Sequence, residues 1–211
     1  MTNTIIGILG KPLSGKDTVA EALRSMNPGI ATISMGDVVR EVKATGPSHR
    51  FWDLLHDSIA VADSGGIAPD EPIFRCITLL IDEEFGQGKE SVMWIGGPRS
   101  EQQLIWLDAW AAEKGYRDQF LHIDVPDSEV YARINHRLDH GRADDRTDVI
   151  AFRLSEYERV TLPAVDHLAS EGRIAKINGV GARESVAAHA AEALNLGFFD
   201  PEATLPMSAR R

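Results

Sequence analysis

A glycine-rich segment near the amino terminus has the residue spacing of a phosphate-binding loop. Residues 10–16 read Gly-Lys-Pro-Leu-Ser-Gly-Lys, with a glycine at each end of the loop and a lysine directly after it. Glycine lets the backbone approach a phosphate closely, and consecutive N–H groups at a helix amino terminus bind anions. The apolar stretch 4–9 predicts a strand before the loop, and the stretch 14–26 predicts a helix after it. This context favours phosphate binding over a plain turn with a solvated lysine.

The loop departs from the usual pattern at one position. Ser or Thr normally follows the lysine directly, whereas here Asp17 follows Lys16 and Thr18 comes next. The lysine can still reach the β- and γ-phosphates of a nucleoside triphosphate. We expect the whole loop to contact the phosphoryl donor, through Gly10, Lys11, Pro12, Leu13, Ser14, Gly15, Lys16, Asp17 and Thr18.

Arginine is unusually frequent among the basic residues. Of 22 basic residues, 16 are Arg, and Arg133, Arg137 and Arg142 surround one short stretch of chain. Guanidinium groups bind phosphate in a bidentate manner, and phosphoryl transfer depends on positive charge around the transferring oxygens. The alternative is that each arginine pairs with a surface carboxylate. The arginine cluster together with the phosphate loop favours phosphoryl transfer.

Composition excludes several classes of protein. The formal net charge of −10, without a basic run, argues against a nucleic-acid or membrane-surface binder. No stretch approaches the ~20 apolar residues of a membrane span, and the amino terminus does not resemble a signal peptide. Cys76 is the only cysteine, so no intramolecular disulfide can form. We expect a cytoplasmic protein whose partners are small molecules.

Strand and helix patterns alternate along the chain. The longest helical pattern covers 144–169, and after residue 196 the pattern stops, which predicts an extended tail over 197–211. This alternation predicts an α/β fold with a five-stranded, doubly wound parallel sheet, whose ligands bind at the carboxyl ends of the strands. The predicted strands are 4–9, 30–35, 90–95, 119–125 and 173–178.

Four further segments, in the right order, resemble those of the nucleoside monophosphate kinase family, which includes the adenylate kinases. Residues 34–40, Ser-Met-Gly-Asp-Val-Val-Arg, resemble its S-T-G-D-x-x-R segment, and residues 96–103 resemble D-G-F-P-R-x-x-x-Q from its glycine onward. Residues 125–137 resemble V-P followed by R-x-x-x-R, and residues 142–163 resemble R-x-D-D, R-L-x-x-Y and T-x-P. With the phosphate loop, the resemblance extends from residue 5 to about residue 194.

The resemblance implies a three-layer P-loop kinase fold in a single domain, residues 1–196. It further implies a helical acceptor-binding insert at about 41–85 and a short lid at about 137–143, which has no cysteines for a zinc site. The implied activity is Mg²⁺-dependent transfer from ATP to a nucleoside monophosphate, most simply AMP, giving two ADP. The family also suggests a monomer.

The resemblance assigns roles around the donor and the transferred group. Lys16 would bind the donor phosphates, and Arg133 would stack on the donor base. The backbone between Lys176 and Gly179 would line the donor adenine. The catalytic residues implied by the family are Lys16, Arg99, Arg137, Arg142 and Arg153.

It also assigns the acceptor and the metal. Arg40 and Arg99 would hold the acceptor phosphate, Gln103 would contact the acceptor base, and Asp70 matches the aspartate of the acceptor-binding loop. The remaining acceptor-binding residues would be Met35, Gly36, Ile67 and Gly97. Mg²⁺ would be held through water by Thr18, Asp37, Asp144 and Asp145.

Three positions depart from the family pattern. Ile95 stands where the family has an aspartate of the Mg²⁺ shell, Met35 replaces a threonine, and Gly97 replaces a bulky aromatic residue. The change at Gly97 predicts either a wider acceptor pocket or one that accepts a different base. These departures leave two alternatives open. One is a P-loop kinase for another small acceptor, a deoxynucleotide or a non-nucleotide, and the other is a nucleotide-binding protein with weak catalysis.

Overall fold

The structure, a computed structural model, describes residues 2–63, 68–138 and 147–196. Several of the predicted site residues and segments lie outside this part of the chain. They are Ile67, Arg142, Asp144 and Asp145, most of the expected lid, and the tail 197–211. The side chain of Arg137 is likewise outside the description, although its backbone belongs to a helix.

A five-stranded parallel sheet in the order β2-β3-β1-β4-β5 forms the centre of the molecule. All four strand pairs are parallel, which confirms the predicted fold class. The strands are rich in β-branched and apolar residues because helices cover both faces of the sheet. Their bounds are β1 Thr4–Leu9, β2 Ile30–Ser34, β3 Ser91–Ile95, β4 Arg117–Asp124 and β5 Ile174–Asn178.

Helices pack against both faces of the sheet. They are α1 Lys16–Met26, α2 Met35–Thr45, α3 Trp52–Asp63, α4 Asp70–Gly86, α5 Glu101–Lys114, α6 Asp127–Leu138, α7 Thr147–Glu156, α8 Leu162–Ser170 and α9 Arg183–Ala193. Alternate residues of β1 serve the two faces: Ile6 and Ile8 pack with α1 and α9, while Ile5 and Leu9 pack with α4, α5 and α8. Burying each such side chain stabilises the fold by about 1.5–3 kcal/mol.

Several element boundaries differ from the sequence prediction by one or two residues, and two differences have a local cause. Met35 was expected to end a strand, but it begins α2 because the hydroxyl of Ser34 caps that helix, accepting a hydrogen bond of 3.4 Å from the N–H of Asp37. The predicted single helix over 144–169 is interrupted by a π-helical turn, Tyr157–Thr161. Pro163 is the second residue of α8, which follows this turn, and it has no N–H to continue a regular α-helical ladder.

The carboxyl ends of the strands lie together at one edge of the sheet. In the register, Ile95 of β3 is opposite both Ser34 of β2 and Ile8 of β1, and Leu9 is opposite His122 of β4. The loops that leave these ends therefore meet along one rim, which is where parallel sheets bind their ligands.

Two further observations concern the apolar character of the helices and the state of the single cysteine. Within the described ranges, none of the helices has the length and apolar character needed to cross a membrane. Cys76 is fully buried in α4, and burial raises the pKa of its thiol to about 12.

Candidate active site

The phosphate loop connects β1 to α1 at the carboxyl rim. Gly15 caps α1 with a φ of 96°, a left-handed conformation that favours glycine. The ammonium of Lys16 lies across the loop and donates hydrogen bonds to the carbonyls of Gly10 at 2.8 Å and Lys11 at 2.7 Å. Desolvation by burial lowers the pKa of Lys16 to about 8, although the neighbouring Asp17 opposes this effect. The lysine is thus already held at the position where a phosphate chain would meet the loop.

Other residues fix the loop from outside. Lys11 forms an ion pair of 2.5 Å with Asp127 at the start of α6. Leu13 packs on the apolar cluster between α6 and α7, which includes Val130 and Leu154. Ser14 is buried, and its N–H donates to the carbonyl of Lys11 at 3.1 Å. These contacts hold the loop in one conformation before a ligand arrives.

Arg133 joins three elements beside the loop. Its guanidinium donates to the carbonyl of Leu13 at 2.9 Å and to the carbonyl of Gly179 at 2.7 Å. A third hydrogen bond, from Nε, reaches Glu129 one helical turn earlier at 2.8 Å. Three of the five in-plane N–H donors are therefore engaged, and the flat face of a guanidinium can still stack on an aromatic ring.

A pocket of about 260 Å³ lies next to Arg133. Its walls come from the phosphate loop, from α6 and from the segment after β5; they include Leu13, Ser14, Gly15, Thr18, Glu129, Arg133, Gly179, Gly181 and Arg183. Sequence reasoning missed Glu129, Gly181 and Arg183. The Gly-Val-Gly run at 179–181, directly after a strand, was a usable signal for the last two. Lys176 is not among the lining residues and instead pairs with Asp124 at 2.9 Å.

Gly97 follows β3, and the residues around it contradict the expectation of a wider acceptor pocket. A Cβ atom built on Gly97 would lie 2.0 Å from the ring of Trp94, which is buried. The indole thus fills the space that the missing side chain would leave, so the substitution of glycine does not widen the pocket beside it. The peptide bond between Gly97 and Pro98 is cis.

Arg99 is held by a hydrogen-bond network at the start of α5. Its Nη2 donates to the carbonyl of Ala68, and its Nε lies 3.4 Å from Oδ1 of Asp70. Its backbone N–H donates to Oε1 of Gln103 at 3.0 Å, while Nε2 of Gln103 donates to the same Asp70 oxygen at 2.9 Å. Gln103 is fully buried, so both ends of its amide are engaged in protein contacts.

The start of α2 contributes the other expected acceptor residues. The guanidinium of Arg40 contacts the carboxylate of Asp37, and both side chains are exposed. Met35 is nearly buried and packs in the apolar core, whereas Gly36 lies against Arg40. Arg40 and Arg99 thus follow two strands, β2 and β3, that are neighbours in the sheet.

A second, larger groove of about 450 Å³ runs along β2. Asp17 of α1, Asp37 of α2 and Ile95 of β3 line it together. Within the described residues, no group of three or more His, Cys, Asp or Glu side chains is arranged to hold a metal. Mg²⁺ usually keeps several waters and binds mainly to substrate phosphates, so this donor set fits an ion that the protein touches through water.

Arg153 lies on α7 with an exposed side chain. The same helical segment ends in the π-helical turn, and Tyr157 of that turn shares a hydrogen bond of 2.8 Å with Nε2 of His122. Both rings are buried; burial lowers the pKa of His122 and raises the pKa of Tyr157. Sequence reasoning did not single out His122, because nothing local marks a histidine that pairs with a distant residue.

Fold and site together define a class of protein. A parallel sheet with a phosphate loop between β1 and α1, and with arginines on the segments that follow neighbouring strands, is the arrangement of a P-loop phosphotransferase. Of the predicted residues, the structure brings the phosphate loop, Arg133 and Gly179 together on one side of the rim. It brings Arg40 and Arg99 to the ends of adjacent strands.

Comparison with known proteins identifies the family. The family model described as adenylate kinase matches residues 8–173. An adenylate kinase from Synechococcus sp. is 35% identical over 198 residues, covering 90% of this chain and 95% of the relative. Those from Bacteroides thetaiotaomicron and Maricaulis maris are 33% and 30% identical, each over 90% of this chain and 97% of the relative. The chain belongs to the adenylate kinase family, and it is a nucleoside monophosphate kinase.

Proposed function

We propose that the protein transfers the γ-phosphoryl group of ATP to AMP, giving two ADP. The observation that carries this proposal is the ordered phosphate loop with Lys16 across it, on the same rim as Arg99 and Arg40. An adenylate kinase needs a triphosphate site and a monophosphate site side by side, and the adenylate kinases to which the chain is similar match it over nearly their full length.

On the donor side, the phosphate loop binds the ATP phosphates through its backbone N–H groups and Lys16. The base lies in the pocket beside Arg133, where the guanidinium face stacks on it and the backbone near Gly179 lines it. Arg183, at the first turn of α9, adds a further positive charge at this pocket.

On the acceptor side, Arg40 and Arg99 bind the monophosphate, and Gln103 lies next to Arg99. Gly36 and Met35 lie at the start of α2, and we assign them, with Ile67 and Gly97, to the remaining acceptor contacts that the family resemblance implies. The side chain of Met35 has no hydrogen-bond donor and only a weakly accepting sulfur, so its contact with the acceptor is mainly apolar.

The chemical step needs no general base. The acceptor phosphate is already an anion and attacks the γ-phosphorus in line, while ADP leaves. Lys16, Arg99 and Arg153, with Arg137 and Arg142, stabilise the charge on the transferring oxygens. Closure of the lid excludes water and limits hydrolysis.

Bound Mg²⁺ supplies positive charge between the phosphates and orients them. The residues that would hold its water ligands are Thr18, Asp37, Asp144 and Asp145. Ile95 offers no oxygen atom at the position of the family's aspartate, so Asp17, which lines the same groove, is the nearest replacement on α1. We further propose a cytoplasmic monomer, in keeping with a chain whose single cysteine cannot form an internal disulfide.

The test is a turnover assay on the purified protein with ATP, Mg²⁺ and each of AMP, CMP, UMP, GMP and dTMP. We expect ADP formation that depends on AMP, and a loss in kcat/KM of about 100-fold or more in Lys16→Ala, because the transferring phosphates lose a cation. Lys89→Ala is the matched control, since the ammonium of Lys89 donates to the carbonyl of Pro28 at the surface. A preference of about tenfold for another acceptor would contradict the proposal.

A further inference from the structure

The carboxylate of Asp70 connects the amino termini of two helices. Asp70 is the first residue of α4, and its side chain is about one quarter exposed. Its Oδ2 accepts a hydrogen bond of 2.6 Å from the hydroxyl of Ser100, which itself caps α5 by accepting from the N–H of Gln103 at 3.1 Å. Its Oδ1 accepts from Nε2 of Gln103 at 2.9 Å. One carboxylate thus fixes the cap and the first turn of α5.

The same carboxylate lies against Arg99. The Nε of Arg99 is 3.4 Å from Oδ1 of Asp70, and Nη2 of Arg99 donates to the carbonyl of Ala68, two residues before Asp70. The remaining N–H groups of this guanidinium have no partner among the residues that the structure describes. One edge of the guanidinium is therefore held by the start of α4, and the other edge is left for a ligand.

Arg99 also lies near the end of α7. The pKa of Glu156 on α7 is lowered chiefly by the hydrogen bond from Arg159, and the charge of Arg99 also contributes to this lowering. Arg99 is thus close enough to influence the segment of α7 that also carries Arg153.

We infer that Asp70 is a positioning residue, which orients Arg99 so that its free N–H groups bind the phosphate of the acceptor. The inference rests on the proposed function, because it takes Arg99 as the ligand of the acceptor phosphate. A flexible arginine loses rotamer entropy when it binds, whereas one that is already oriented loses less. Removal of Asp70 therefore weakens acceptor binding more than donor binding.

Asp82 offers a matched control on the same helix. It accepts a hydrogen bond of 2.8 Å from Nζ of Lys114 and another of 2.8 Å from the hydroxyl of Tyr116, so it joins α4 to the far end of α5. Asp70 and Asp82 therefore make comparable polar links between the same two helices, but only Asp70 contacts Arg99.

The experiment compares Asp70→Ala, Asp70→Asn and Asp82→Ala in steady-state kinetics. We expect Asp70→Ala to raise the KM for AMP by about tenfold or more, and to change the KM for ATP by less than about twofold. Asp70→Asn keeps an acceptor oxygen and a similar shape, so it should raise the KM for AMP by a smaller factor. This variant also serves as the test if Asp70→Ala does not fold. Asp82→Ala should leave both KM values unchanged. An unchanged KM for AMP in the folded Asp70 variants would overturn the inference.

A second readout separates this inference from the proposed function. The order parameter of the Arg99 Nε–H vector, measured by NMR relaxation, should fall in Asp70→Ala and stay at the wild-type value in Asp82→Ala. If the wild-type protein does not turn over AMP, the proposed function fails, and the NMR result alone decides whether Asp70 orients Arg99. Equal order parameters in all variants would overturn the positioning role, whatever the turnover.

Discussion

At the scale of single residues, Lys16 is both hydrogen-bonded to the phosphate loop and lowered in pKa by burial. Its ammonium is hydrogen-bonded to two carbonyls of the phosphate loop, and burial lowers its pKa to about 8. A triphosphate needs the protonated form, because only that form carries the positive charge. Binding therefore competes with deprotonation of the free protein as the pH rises through 8.

We accordingly expect ATP binding to be accompanied by proton uptake at pH 8 and above, and affinity to fall by up to about tenfold per pH unit above the pKa. Calorimetry at pH 7, 8 and 9, in two buffers with different ionisation enthalpies, measures the uptake directly. In Lys16→Arg the side chain stays charged throughout this range, so the uptake should vanish. Equal proton uptake in the wild-type protein and in Lys16→Arg would refute the assignment to this residue.

Residue roles were predictable from the sequence only where local spacing defines them. The phosphate loop was predictable because its glycines and lysine must occur at fixed intervals along one turn of chain. The network around Arg99 was not predictable, because Asp70 and Arg99 are 29 positions apart and meet only after the sheet has assembled. The effect of Gly97 was misjudged for a different reason: Trp94 is only three positions away, but the sequence does not show that its ring packs against this glycine.

At the scale of elements, the bond between His122 and Tyr157 joins β4 to the π-helical turn. Burial favours the neutral form of His122 and lowers its pKa, although Asp124 opposes this shift and Lys176, Lys16 and Lys11 reinforce it. The unfolded chain takes up a proton near pH 6.5 that the folded protein does not, so stability decreases as the pH falls below that value.

We predict that the free energy of unfolding falls between pH 7 and pH 5 by up to about 1.4 kcal/mol per pH unit from this residue alone. The measurement is urea denaturation at both pH values for the wild-type protein and for His122→Gln, which should lose less stability on acidification. His189, exposed on α9, provides the control variant His189→Gln. If His122→Gln and the wild-type protein lost equal stability, the buried histidine would not be the cause.

Strands were easier to predict than the exact form of the helices. Short runs of β-branched residues identified all five strands, since both faces of the sheet are buried. The π-helical turn was not predicted, because the spacing of apolar residues does not distinguish an α-helix from a 3₁₀-helix or a π-helix. Pro163 was nevertheless a sign in the sequence that the helix is irregular there.

At the scale of the whole molecule, the carboxyl ends of the strands carry the candidate active site, whereas contacts at the amino ends contribute to stability. Arg173, at the amino end of β5, forms ion pairs with Asp108 of α5 at 2.5 Å and with Asp118 of β4 at 3.1 Å. It also lies over the ring of Phe120. All of these contacts are at the edge opposite to the phosphate loop, so their contribution is to stability rather than to catalysis.

We expect Arg173→Met to lower the free energy of unfolding by about 1–3 kcal/mol, because it leaves half-buried carboxylates without their cation. The kinetic constants should remain within about twofold of the wild-type values. Urea denaturation and the turnover assay measure the two effects on the same preparation. Arg24→Met, which breaks an exposed pair with Glu21, should leave the free energy of unfolding nearly unchanged. A large fall in kcat for Arg173→Met would show that the two edges are coupled.

The position of Cys76 has a practical consequence for studying motion in this kinase. Its thiol is enclosed by the core, and with a pKa of about 12 it is almost entirely protonated at neutral pH, so thiol-reactive dyes should not attack it in the native protein. It is also the only cysteine in the chain. A fluorophore or spin label can therefore be directed to any exposed position by introducing one new cysteine, without first removing a native one from the core.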